Sequence, residues 1–144
     1  MNTKLFITAT VAAVIGFTSV PAMANSVNIE QYGWSNSAGG SQNGWKNKVG
    51  VYQNGIFNQA IAKQNGKKNT SAIGQEGYNN AAGTYQNGKH NAAGVGQFGA
   101  NHTAIVTQDG NGNVAAGVQV GNGCDADVQQ GGSGNVAAFV QTCN

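Results

Sequence analysis

The stretch Gln31-Tyr32-Gly33-Trp34-Ser35-Asn36-Ser37-Ala38, of the form Q-x-G-x-x-N-x-A, decides the fold because it recurs every eleven residues. Its glutamine returns as Gln42, Gln53, Gln64, Gln75, Gln86, Gln97, Gln108, Gln119, Gln130 and Gln141, ten successive spacings of 11 without an insertion or a deletion. Two places on stands a glycine: Gly33, Gly44, Gly55, Gly66, Gly77, Gly88, Gly99, Gly110, Gly121 and Gly132, with Cys143 in that place after the last glutamine. Five places on stands an asparagine, at Asn36, Asn47, Asn58, Asn69, Asn80, Asn91, Asn113 and Asn135, replaced by His102 and Cys124 in two repeats. Seven places on comes a small residue, from Ala38 and Val49 to Ala126 and Ala137. Self-similarity this strict marks a repeat architecture.

An eleven-residue period also fits a right-handed helical supercoil, and glycine decides against it. One glycine per repeat costs a helix about 1 kcal/mol each relative to alanine, and asparagine is a poor helix former. The places four and two before each glutamine alternate with it at period two, as in Val49-Val51-Gln53 and Ala104-Val106-Gln108, which is strand periodicity. The x-G-x-x-N that follows is turn chemistry, since glycine supplies positive φ and asparagine tolerates left-handed geometry. Each eleven is therefore one strand and one arc, with the glycine expected in the arc. Two units close a rung of 22 residues. The expected fold is all-β, a two-sheet β-solenoid whose residues 22 apart stack at about 4.8 Å.

Such a core is part amide. A buried primary amide left unpaired costs on the order of 1–3 kcal/mol, and identical amides stacked rung on rung remove that cost by forming the Asn/Gln ladders of cross-β structures. All eleven glutamines and the eight asparagines are expected to ladder in this way. Sorting the strands by sheet gives Ile29, Val51, Ile73, Val95, Gly117 and Phe139 on one side and Gly40, Ala62, Thr84, Val106 and Val128 on the other, so in the first half bulky residues face small ones. The strand containing Gly39 and Gly40 is expected to be the weakest.

Residues 1–24 read as a secretory signal that is removed: Lys4, an apolar run from Leu5 to Phe17, then Pro21 and Ala22-Met23-Ala24. A run of thirteen residues is too short for a bilayer span, which needs about 20, so no stable membrane insertion is expected. Residues 25–144 form the repeat domain. Six lysines there, Lys46, Lys48, Lys63, Lys67, Lys68 and Lys89, stand against Glu30, Glu76, Asp109, Asp125 and Asp127. A balance this close to neutral argues against a nucleic-acid partner. All six lysines precede residue 92 and three of the five acids follow it, so opposite ends of the stack are expected to differ in polarity, which favours head-to-tail association. Asp125 and Asp127 fall on outward positions beside Val128 and read as gatekeepers against premature aggregation, as does the extra glycine of the Asp109-Gly110-Asn111-Gly112-Asn113 arc.

No nucleophile motif, metal-ligand spacing or cofactor fingerprint is present, so neither an enzyme nor a bound cofactor is expected. His90 and His102 read as solvated turn residues. Trp34 and Trp45 lie in arcs, and Tyr52 and Tyr85 point outward, where packing across rungs is the expectation. Cys124 and Cys143 follow glutamines 22 apart, which places their arcs at the same end of adjacent rungs. An exported chain permits oxidation, and a disulfide between them is expected.

The phrase Q-x-G-x-x-N-x-A, carried across the whole repeat domain, resembles the curlin repeat of curli, the extracellular amyloid fibres of bacterial biofilms, and of their major subunit in particular. The resemblance implies export through the periplasm, passage through a dedicated outer-membrane pore, assembly on a minor-curlin nucleator, and a fibre used in adhesion and cell aggregation. It also implies ladder roles for the glutamines and asparagines named above. The cysteines depart from the family's pattern, and so does the absence of a glycine-rich segment between residue 24 and the first strand. Two other readings are a minor curlin that nucleates fibres at the cell surface and a monomeric ligand-binding solenoid. The latter needs a uniform outward array, and Lys48, Gln59, Thr70, Ala81 and Ala92 are mixed.

Overall fold

The alternation of inward and outward residues produces eleven strands: β1 (Ser26–Trp34), β2 (Ser37–Trp45), β3 (Lys48–Ile56), β4 (Gln59–Lys67), β5 (Thr70–Tyr78), β6 (Ala81–Lys89), β7 (Ala92–Ala100), β8 (Thr103–Asn111), β9 (Val114–Asn122), β10 (Asp125–Ser133) and β11 (Val136–Cys143). The computed structural model describes residues 24–144, so the segment read as a signal lies, but for Ala24, outside the described residues. Odd strands form one six-stranded sheet and even strands one five-stranded sheet. Every pairing is parallel and in register between residues 22 apart, as in Gln31 with Gln53 and Gln42 with Gln64. The rung of 22 residues and the two-sheet solenoid are as the period implies.

Turns of two residues separate the strands, and backbone bonding continues through them. The Lys68 N–H donates to the Trp45 carbonyl at 2.7 Å, and the Ser37 N–H to that of Asn58 at 2.8 Å. Between the sheets lie Val49, Val51, Ala60, Ala62, Ile73, Ala82, Ala93, Val95, Ala104, Val106 and Ala115. Small residues opposite branched ones let the sheets approach closely without collision. Phe139 of β11 leans over Gly117 of β9, where even a methyl group would overlap its ring. In β1, Val27 and Ile29 are 48% and 38% exposed although they occupy inward positions, because only one side of that strand is covered.

The repeat glycines are placed differently from the expectation. They belong to the strands, in register from rung to rung, as Gly33 with Gly55, and their φ values run from 96° to 129°. Two effects exclude any other residue. The conformation is one that only glycine adopts easily, and a Cβ at Gly77 would stand 1.9 Å from the Gly99 carbonyl oxygen of the next rung. The true turn contains a second left-handed position two residues on, held by Ser35, Lys46, Phe57, Lys68, Asn79, His90 and Asn101 and then by Gly112, Gly123 and Gly134. The extra glycine of the Asp109–Asn113 stretch thus relieves backbone strain at Gly112.

Candidate functional site

The glutamines meet as expected and do more than ladder. In each sheet the Nε2 of one glutamine donates to the Oε1 of the glutamine 22 residues later, at 2.7–2.9 Å: Gln31 through Gln53, Gln75, Gln97 and Gln119 to Gln141, and Gln42 through Gln64, Gln86 and Gln108 to Gln130. The second N–H of the same nitrogen crosses to the opposite sheet, where Gln53 bonds the Ser37 carbonyl and Gln75 that of Gln59, at 3.0 and 2.9 Å. Each glutamine from Gln42 to Gln141 therefore ties three strands together. Gln53, Gln97 and Gln119 are wholly buried, while Gln31 stands exposed at the edge of its sheet. Among the described residues no buried side-chain nitrogen or oxygen lacks a hydrogen-bond partner, so the polar core carries no desolvation debt of the kind that orphaned amides impose.

The asparagines stack in columns but do not ladder amide to amide, which corrects the expectation. Each Oδ1 accepts from the backbone N–H of the residue 22 later, as Asn36 from Asn58 and Asn47 from Asn69, at 3.0–3.1 Å. Each Nδ2 donates to the carbonyl of the strand glycine 19 later, as Asn58 to Gly77 and Asn91 to Gly110, at 3.1 and 2.9 Å. The geometric reason is length. With one methylene fewer than glutamine, the amide in the turn reaches the adjacent backbone, whose groups the turn leaves without strand partners. Asn135, last of its column, is the one column member described that bonds another asparagine side chain of the column, donating to Asn113 Oδ1 at 3.1 Å.

His102 is a second correction. His90 is exposed, but His102 is only 1% exposed and stands in the asparagine column. Its backbone N–H donates to Asn80 Oδ1, and its Nδ1 accepts from the Cys124 N–H at 3.1 Å, so the imidazole takes over the asparagine's acceptor role. Its Nε2 faces the Phe98 carbonyl at 3.2 Å. Cys124, next in the column, is bonded to Cys143 across a separation of 19 residues, with Cα atoms 5.6 Å apart. That separation is the one spanned by the asparagine-to-glycine bonds between rungs, so the disulfide replaces that contact where both its residues are cysteine.

Outer faces carry further ladders that the repeat did not announce. Asn65 donates to Asn87 and Asn87 to Asp109 on one face, and Asn79 to Asn101 and Asn101 to Asn122 at an edge. The tyrosine expectation is met in part: Tyr52 packs on Tyr32 across a rung, with centroids 5.8 Å apart, and Lys63 lies over Tyr85. Asp125 and Asp127 are exposed on the outer face of β10. No group of three or more metal-ligating side chains gathers among the described residues.

A parallel, in-register solenoid closed by side-chain amide ladders is a cross-β fold, the class to which structural and fibre-forming chains belong. The profile of the curlin associated repeat matches residues 46–77 and 77–110. The chain belongs to the curlin family and is a curli-type subunit, in a family of structural proteins and not of enzymes. No curated protein matches it.

Proposed function

We propose that the chain is a secreted structural subunit, of the major-curlin kind, that assembles head to tail into extracellular curli-type fibres serving adhesion and cell aggregation. The observation that carries this is the direction of the ladders. Every ladder bond runs from the Nε2 of one glutamine to the Oε1 of the next toward the C-terminal end of the stack, so a second copy stacked in the same sense continues each ladder with a donor against an acceptor. An inverted copy sets donor against donor. Unpaired strand edges are templates for such addition, and a chain with so few large apolar residues gains little from ordering alone.

In this reading residues 1–24 are a signal removed on export, residues 25–144 are the fibre-forming domain, and the outer-membrane pore and the minor-curlin nucleator of the family are its partners. Asp125 and Asp127 act as gatekeepers that slow premature stacking of an edge-prone strand. The test is incubation of purified residues 25–144 at neutral pH, followed by thioflavin T fluorescence and fibre diffraction. The expected result is a lag, then fibres with reflections near 4.8 and about 10 Å. A monomer stable for days at micromolar concentration, with dispersed β-type amide resonances, overturns it.

A further inference from the structure

Near-neutral net charge conceals a segregation that only the fold displays. Five of the six described lysines converge on one edge of the solenoid, formed by the turns that follow β2, β4 and β6. Trp45, Lys67 and Lys89 are successive partners in register there. Behind them Lys46, Lys68 and His90 hold the left-handed turn position, with φ of 53°, 55° and 59°, locked by the bonds from Lys68 N–H to the Trp45 carbonyl and from His90 N–H to that of Lys67. Lys48 opens β3 beside them with its side chain outward, and all seven residues are exposed.

The acids lie elsewhere. Glu30 and Glu76 are on outward positions of β1 and β5, Asp109 and Asp127 on those of β8 and β10, and Asp125 begins β10 beyond the opposite edge. That opposite edge presents Trp34, Ile56, Phe57 and Tyr78 and no charge in the same rungs. The backbones that carry these lysines are one rung apart, about 4.8 Å, a spacing well within the screening length of about 8 Å at physiological salt. Like charges set directly opposite in a sheet are destabilising. The one compensation visible is Lys67, whose Nζ lies 4.5 Å from the centre of the Trp45 ring, a cation–π contact.

We infer that this edge binds a linear polysaccharide bearing carboxylates, laid along the stack. The lysines recur along the axis at a spacing comparable to the length of one pyranose in an extended chain. The Trp45 indole is 49% exposed and, beyond the face that Lys67 covers, offers apolar surface to a sugar ring at one end of the lysine row. The sequence holds no arginine, the residue whose planar fork suits phosphate and nucleic-acid recognition, whereas lysine ammonium groups serve carboxylates as point charges. A convex edge one turn wide fits a thin chain and does not cradle a duplex.

The test is binding of the full described chain to a polyuronate, a neutral β-glucan, polyphosphate and single-stranded DNA, matched in length and compared at low salt and at about 0.15 M. Polyuronate is expected to bind best and to weaken with salt. The triple variant Lys46→Gln, Lys67→Gln, Lys68→Gln is expected to lose about tenfold or more in affinity, by removal of three charge contacts, and Lys63→Gln, on the sheet face, to change it little. Trp45→Ala is expected to weaken polyuronate more than polyphosphate. Circular dichroism of each variant confirms that the fold is retained. Tighter binding of polyphosphate or DNA than of polyuronate overturns the assignment to an acidic glycan. Equal losses for Lys63→Gln and for each edge lysine replaced singly overturn the assignment to this edge, and binding of none of the four polymers overturns the proposal.

Discussion

Replacing Gln75 by alanine tests the ladder where it is most enclosed. Gln75 is 1% exposed, donates to Gln97 Oε1 at 2.8 Å and to the Gln59 carbonyl at 2.9 Å, and accepts from Gln53 Nε2 at 2.7 Å. The substitution leaves Gln97 Oε1 without its donor and one N–H of Gln53 without its acceptor. At about 1–3 kcal/mol for each buried group left unpaired, the loss is about 2–6 kcal/mol, before any cost of the space vacated. Lys63→Ala on the outer face is the control, expected to stay within about 0.5 kcal/mol. Denaturant midpoints of assembled material and lag times of fresh protein read the difference, the Gln75 variant being expected to assemble far more slowly and to dissolve at lower denaturant. Equal midpoints and lags for the two variants would refute the claim that the amide ladder holds the rungs together.

Three further outcomes follow from the same geometry. Gly77→Ala, at φ 128° and with its new methyl 1.9 Å from the Gly99 oxygen, is expected to block folding of its rung, while Gly74→Ala, with nothing within 4 Å, leaves the circular dichroism spectrum and assembly rate near those of the parent. His102→Asn restores the residue of the column and is expected to retain stability, whereas His102→Ala orphans the buried Cys124 N–H at a cost of about 1–3 kcal/mol, measured by denaturant unfolding. Protein isolated without reductant is expected to show no reactive thiol by titration, and reduction of the Cys124–Cys143 bridge to lower stability by roughly 3 kcal/mol on the chain-entropy estimate for a loop of this size.

The period of 11 and the alternation within each repeat were enough to read the sheets, the rung and the glutamine contacts, because stacking at a fixed period brings like residues together whatever the details of the turn. What the repeat left open was local. Asn58 and its equivalents read as ladder amides like the glutamines, and only the geometry of the turn reveals that the shorter side chain meets backbone instead. The glycines read as turn residues because positive φ usually means a turn, yet Gly77 combines that φ with strand pairing. His102 could have been recognised from its place in the asparagine column, since a ring nitrogen accepts as an amide oxygen does. The lysine edge was also legible: Lys67 and Lys89, and Lys46 and Lys68, are pairs 22 apart, but a net charge sums over faces that the fold keeps separate.

In the solenoid, rungs stack within one chain, residue i on residue i + 22. Solid-state NMR on fibres grown from isotopically labelled chain diluted into unlabelled chain tests it most directly, by following transfer between the side-chain amides of Gln75 and Gln97. The solenoid predicts that this contact, 2.8 Å between nitrogen and oxygen, keeps its full intensity per labelled chain on dilution, and that Gln75 shows no contact with Gln75 of another copy. Loss of the Gln75–Gln97 signal on dilution, with a Gln75–Gln75 contact in undiluted fibres, would contradict the account and indicate flat chains stacked copy upon copy.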